Sequence, residues 1–383
     1  MRKLAYLQGL RGVAALLVLA HHFFCAFYPA SIFGVGPRHD NWEHLFWTTP
    51  LGLIGSGISP VCIFFILSGF VLSLPFLGEG ARETPYLLAA ILKRPVRLAG
   101  LVMATITASM ILQRSNLYFS GQLSPISGSS WLLTLEFGPV TWMHFVRDLI
   151  TDSFGVGHVY NQPLWTITFE LFGSYLTFLF LLLFRGRPLR WIAYLVVGLQ
   201  FYNSFYIAFL VGVFCADVSK NCEHHAALLK SAKLLVVPLF LVGIYLASYA
   251  PHLDPSYDRF SWHSWLPRSG NSYVYPMAGA CAIFLSVLLG PRLQAFFSTG
   301  ILIYLGRISY AMYAIHLLVL RSFSSWLFLM LFPGHAYDVS VILTFLSSIV
   351  LIGVLAHFIT VYFDEYVTRR ANGLSEYWIR EKA

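Results

Sequence analysis

The chain has 383 residues, of which 57% are hydrophobic and 11% charged, with a net charge of +8 and a mean hydropathy of +0.69. A soluble globular chain carries about 25% charged residues, so a water-exposed domain is excluded as the bulk of the molecule. The basic residues lie in short groups between apolar runs and not on one stripe, which excludes a nucleic-acid-binding surface as the reason for the positive charge.

A helix that crosses a bilayer needs roughly 20 mostly apolar residues, and only helices or closed barrels satisfy their backbone in lipid. The apolar runs are continuous, without the alternation of a barrel strand. They predict an all-α, polytopic membrane helix bundle. The first run covers 7–28. Its start, Met1-Arg2-Lys3, resembles a signal peptide, but Arg11 and the pair His21-His22 do not belong in a cleavable segment, so it reads as a retained first helix. The second run, 51–75, is followed by a polar loop from Gly78 to Arg94, and the third is 97–113. Residues 114–162 read as a long loop with a short surface helix. The fourth run, 163–184, closes on Arg185, Arg187 and Arg190. Two short runs at 191–203 and 204–218 precede a polar loop, and four more follow at 234–250, 273–290, 303–331 and 339–362. This makes about ten transmembrane helices in one domain, 1–363, with a short charged cytoplasmic tail at 364–383. Starting from a cytoplasmic N-terminus and alternating sides, 19 of the 25 Lys and Arg residues fall inside, which predicts that both termini are cytoplasmic. The five cysteines are scattered without a C-x-x-C pair, so no zinc site or other metal site is expected.

Ionisable residues inside spans are costly and mark functional sites. Four stand out: Arg11, His22, Glu170 and His316. Arg11 and His22 are about three turns apart on one face of the first helix, separated by ~16 Å along its axis. Counted from the span ends, His22 lies ~22 Å from the cytoplasmic side and both Glu170 and His316 ~20 Å. Three titratable groups from three helices are therefore expected at one depth. A histidine oriented by a carboxylate is a general base suited to neutral pH. The plainer reading is a set of interhelical hydrogen bonds that hold the bundle. Lys93, Arg94 and Arg97 cluster at the mouth of the third span, where arginine forks bind phosphates or anchor the helix at the lipid headgroups. His21 points about 100° away from His22 and packs between helices.

Several segments resemble the acyltransferase-3 superfamily, the integral-membrane acyl-CoA-dependent acyltransferases that include O-antigen and peptidoglycan O-acetylases. They are Leu7-Gln-Gly-Leu-Arg11 followed by His22, Phe64-Phe65-Ile-Leu-Ser68-Gly69-Phe70, Lys93-Arg94-Pro95-Val96-Arg97, Pro163-Leu-Trp165-Thr-Ile-Thr-Phe-Glu170, and Ser309-Tyr310-Ala-Met-Tyr313-Ala-Ile-His316. Thr166 stands where the family usually has Ser, Leu171 follows Glu170 where many members have a second acid, and Pro95 interrupts the basic segment. The resemblance implies ten helices and transfer of an acyl group, acetyl for preference, from cytoplasmic acyl-CoA to a hydroxyl of a glycan, a lipid-linked sugar or another small acceptor. It implies acyl-CoA as co-substrate and no other cofactor, with the bilayer and not nucleic acid as partner, in a plasma or inner membrane. It assigns catalysis to His22, Arg11, Glu170 and His316, and acyl-CoA binding to Lys93, Arg94 and Arg97. Supporting roles fall to Trp165, Ser309, Tyr310, Tyr313 and Ser68. The alternative is a transporter or lipid flippase that uses the buried His, Glu and Arg residues as a proton relay.

Overall fold

Small residues decide where the helices meet. The computed structural model describes residues 4–137, 141–153, 159–221, 233–267 and 271–382, and the described residues contain helices and no strand. The main helices are α1 (Ala5–Phe27), α2 (Ile58–Ser73), α3 (Thr84–Arg114), α4 (Trp165–Phe184), α5 (Arg190–Phe201), α6 (Tyr206–Asn221), α7 (Val236–Ala247), α8 (Val274–Leu289), α9 (Pro291–Phe297), α10 (Gly300–Val319), α11 (Tyr337–Phe358) and α12 (Glu365–Lys382). A π turn at Leu320–Ser324 carries α10 on into Ser325–Leu331, and a second at Ile359–Asp364 joins α11 to α12.

Helices α1 and α10 pack in close contact. A Cβ on Gly306 would lie 1.9 Å from the Gln8 carbonyl oxygen, and one on Gly12 would lie 2.7 Å from the Gly306 nitrogen. Backbones approach this closely only where both surfaces lack side chains, which is how membrane helices gain packing without a hydrophobic driving force. The contact fixes the register of α1 against α10, and so the height of His22 against His316. Helices α2, α6, α4 and α8 pack on the other side of α1 around Phe65, Ile66, Phe70, Phe209 and Phe284.

Among the described residues, six helices are long and apolar enough to cross a membrane, or seven if α8 and α9, bent by 99°, form one span. The expected runs at 191–203, 204–218 and 234–250 appear as α5, α6 and α7, which have 12, 16 and 12 residues. A 12-residue helix rises ~18 Å, short of a hydrocarbon core of roughly 30 Å. The third helix corrects the sequence expectation in the other direction. It begins at Thr84, with Pro85 in its first turn, and runs 31 residues through Pro95 to Arg114. The stretch read as a polar loop thus supplies its first turns, and Arg94 projects from the same helix as Arg97 and not from a loop. The charged tail is helical as well: Val367 of α12 lies against Gly100 of α3.

Candidate active site

Near the start of α1, five helices enclose a cavity of about 340 Å³. Arg11 comes from α1, Ser68 from α2, Arg94 and Arg97 from α3, Thr166 and Glu170 from α4, and Ser309, Tyr310 and Tyr313 from α10. Residues more than two hundred positions apart in sequence thus face one space. Glu170 is held there by Arg94, whose guanidinium pairs with Oε1, and by Ser68, whose hydroxyl donates to the same oxygen at 2.5 Å. Arg94 Nε donates to Ser174 Oγ at 2.8 Å, and the Ser174 hydroxyl donates to the Glu170 carbonyl one turn back. Arg11 and Arg97 make no hydrogen bond or ion pair among the described residues. With Asp364 also close to Arg97, three guanidiniums stand against two carboxylates, a net positive cavity suited to an anion, and the Arg11 and Arg97 forks match phosphate oxygens.

Farther along α1 stands a histidine pair. His316 Nε2 lies 3.0 Å from His22 Nδ1, with ring centroids 4.9 Å apart. His316 Nδ1 is 2.6 Å from the Tyr313 carbonyl oxygen, which can only accept, so Nδ1 carries the proton. With one proton on each ring, His316 Nε2 is then an acceptor for His22 Nδ1–H, which also reaches the Val18 carbonyl at 3.0 Å. His22 Nε2 keeps its lone pair and makes no hydrogen bond among the described residues. The arrangement orients one imidazole by another and leaves a bare ring nitrogen, the requirement for a general base. His316 is only 2% exposed. Tyr313 separates this pair from the basic cavity. Its hydroxyl donates to the Pro163 carbonyl at 3.0 Å and lies 2.8 Å from Thr166 Oγ1, and its ring centroid is 5.6 Å from that of His316.

A second cavity, of about 720 Å³, opens beyond the other end of α1. Its walls include Pro29, Phe33, Trp131, Thr134, Tyr249, His252, Leu253 and Asp254. Trp131, at the start of a one-turn helix (Trp131–Thr134), stacks on His22 with centroids 5.5 Å apart and planes 25° apart. The histidine pair therefore stands between a basic cavity and a largely apolar one. Burial holds His252 below the usual imidazole range, so at neutral pH it meets an occupant of the second cavity uncharged.

The expected depth match holds for His22 and His316 but not for Glu170. No hydrogen bond or ion pair joins Glu170 to His22; the carboxylate is engaged by Arg94 and Ser68, and His316 occupies the orienting position. Lys93 turns away from the cavity, its Nζ donating to Asn372 Oδ1 of α12 at 3.3 Å. Trp165 packs on Phe169 and Phe205 outside the cavity lining. The Ser309 hydroxyl donates to the Gly306 carbonyl of its own helix and the Tyr310 hydroxyl to the Leu98 carbonyl, so both serve the scaffold that shapes the cavity. His21 is anchored to the Gly55 carbonyl at 2.6 Å. Sequence reasoning missed the stacking of Trp131 on His22 and the role of Ser174. The Ser174 signal was available in its spacing, four residues after Glu170 on one helix face.

These helices and buried polar groups define an integral membrane protein with a polar cavity inside its bundle. The chain belongs to the acyltransferase-3 family: the sequence model of that family, described as an acyltransferase domain, matches residues 4–363. It is 26% identical over 420 aligned residues to the O-acetyltransferase PaAT-1 of Phomopsis amygdali, covering 94% of this chain and 82% of that protein. It is 25% identical to the acyltransferase R4 of a Phoma species and 24% identical to the acyltransferase clz18 of Cochliobolus lunatus, in each case covering 85% of this chain and 84% of the relative. No solved structure matches the chain significantly. The protein is thus an enzyme that transfers acyl groups, which displaces the transporter alternative.

Proposed function

We propose that the protein moves an acetyl group from acyl-CoA, bound in the basic cavity, to a hydroxyl of an acceptor held in the second cavity. The observation that carries this reading is the His22–His316 pair lying between the two cavities. Arg11 and Arg97 hold the phosphates of the donor, while Arg94 stays locked on Glu170 and Ser174. The eleven residues from Arg11 to His22 rise ~16 Å, a distance that an extended pantetheine arm covers, so the thioester reaches the histidine as the nucleotide end remains with the arginines. The positive-inside count supports a cytoplasmic face for the basic cavity.

His22 Nε2 takes the proton from the acceptor hydroxyl as its oxygen attacks the thioester carbonyl carbon. The C–S bond breaks, the ester forms, and the proton on His22 passes to the leaving thiolate, so that one ester and one thiol replace one alcohol and one thioester. His316 is a positioning residue: by accepting from His22 Nδ1–H it fixes the ring and stabilises the imidazolium that forms transiently. The acceptor is a hydroxylated small molecule or glycan, consistent with the relative named as an O-acetyltransferase.

The test is free-thiol release from acetyl-CoA by the purified protein, with and without Arg97→Ala and Arg11→Ala. The donor KM is expected to rise roughly tenfold for each variant, the scale of one lost charged hydrogen bond of about 1.5 kcal/mol or more. An unchanged donor KM in both would place the donor elsewhere.

A further inference from the structure

Arg321 has no part in the chemistry above, yet it is 3% exposed and two of its nitrogens, Nε and Nη2, have no hydrogen-bond partner. A buried guanidinium with idle N–H groups is destabilising, and a buried unsatisfied group calls for an explanation. Arg321 sits in the π turn that follows α10, five residues beyond His316. Such turns recur at functional sites. Its guanidinium carbon lies 3.8 Å from the centroid of Tyr118 and 5.3 Å from that of Phe137, and Nη2 is 3.7 Å from Glu136 Oε1. The Ser120 hydroxyl donates to the same Glu136 oxygen, Oε1, at 2.8 Å.

Glu136 and Phe137 lie one residue, Leu135, beyond the one-turn helix whose first residue, Trp131, stacks on His22. That segment is tied at its start to the helix of His22, through Ser129 Oγ donating to the Cys25 carbonyl at 2.5 Å. Along its length, Gln162 Nε2 donates to the Thr134 carbonyl at 2.6 Å. At its end it meets Arg321, on the helix of His316. The segment 129–137 therefore bridges the two helices that supply the histidine pair, and Arg321 holds its far end.

We propose that Arg321, acting through Glu136 and Phe137, is a positioning residue that clamps Trp131 over His22, shielding Nε2 from bulk water until the acceptor displaces the indole. The covering role rests on geometry alone; its catalytic consequence rests on the acyl-transfer reading above. Without the cover, water competes with the acceptor: its oxygen attacks the thioester carbonyl, the C–S bond breaks, and the products are a carboxylic acid and the free thiol.

Two measurements on the full-length protein in nanodiscs test this. The first is carbethoxylation of histidines by diethyl pyrocarbonate, followed residue by residue by peptide mass spectrometry. In Arg321→Met, and in Glu136→Gln where the altered side chain is partly exposed and folding is not at stake, His22 should react several-fold faster while the half-buried His21 and the buried His263 keep their rates. An unchanged His22 rate, or an equal rise at all three histidines, would overturn the clamp, the latter because it reports general loosening. The second is thiol release from acetyl-CoA with water as the sole acceptor, expected to rise several-fold in both variants. Faster His22 labelling without faster hydrolysis in an enzyme that turns over acetyl-CoA would overturn the shielding role. A wild type that releases no thiol under any condition would instead overturn the acyl-transfer reading and leave the labelling result standing.

Discussion

One proton position governs the proposed chemistry at the residue scale. The Tyr313 carbonyl fixes the proton of His316 on Nδ1, which in turn fixes that of His22 on Nδ1 and leaves His22 Nε2 bare. Replacing His316 by Ala removes the second link without touching the base, and kcat should fall by ~10² with the donor KM unchanged, within the range that a positioned base supplies; steady-state kinetics check both values. Much of this was legible in the sequence: the spacing from Arg11 to His22 and the depth of His316 each follow from helical rise. The partner of Glu170 was not legible, because its depth was counted from span ends that the sequence does not fix, and the structure sets it beside Arg94 in the basic cavity and not at the level of His22. Arg94 is nearer than His22, and an arginine offers a carboxylate stronger, charge-assisted bonds. A second residue stands outside the spans. Glu43 is fully buried, with Oε1 accepting from the His39 and Asp40 backbone N–H groups and Oε2 unpaired. Burial pushes its carboxyl above the usual range. A carboxyl raised on folding favours the folded state below its unfolded pKa and loses that advantage as pH rises through the folded value. Glu43→Gln keeps the accepting oxygen and removes the charge, so its melting temperature should exceed that of wild type at pH 8 and converge with it near pH 4.

Among the helices, the α1–α10 contact carries the most weight, because it sets the height of one histidine against the other. Gly306→Leu would place a side chain where a Cβ already meets the Gln8 carbonyl at 1.9 Å. Overpacking costs about 1–3 kcal/mol where neighbours can adjust, and a backbone carbonyl adjusts little. The variant is expected to lose thermal stability and thiol release together, whereas Gly353→Leu on α11, with nothing within 4 Å of its Cβ position, should keep both. A thermal-shift assay beside the activity assay separates them. The sequence signalled helices at nearly every apolar run but placed the start of α3 thirteen residues late. Glu79, Arg82, Glu83, Lys93 and Arg94 marked that stretch as polar, and the apolar residues Tyr86–Leu92 between them, which continue the helix toward the basic cavity, were outweighed. Arg321 falls inside the run expected at 303–331, and no sequence signal pointed to the burial of its guanidinium between Tyr118 and Phe137.

The whole molecule is organised around α1, which passes from one cavity to the other. Its 23 residues rise ~34 Å, with Arg11 at the basic end and His22 near the second cavity. On the proposed reading, donor and acceptor enter from these two spaces and meet at the histidine pair. The apolar composition announced the membrane and the ordered motifs announced the family, but neither located the second cavity, which is assembled from connecting segments between the main helices. The most direct measurement is free-thiol release from acetyl-CoA by purified protein in nanodiscs, comparing wild type with His22→Ala after both are shown to be folded by thermal shift. The account predicts release by wild type and a loss of 10²-fold or more in the variant. Full turnover by a folded His22→Ala protein would contradict it, because His22 Nε2 is the ring nitrogen that the histidine pair leaves without a hydrogen-bond partner among the described residues.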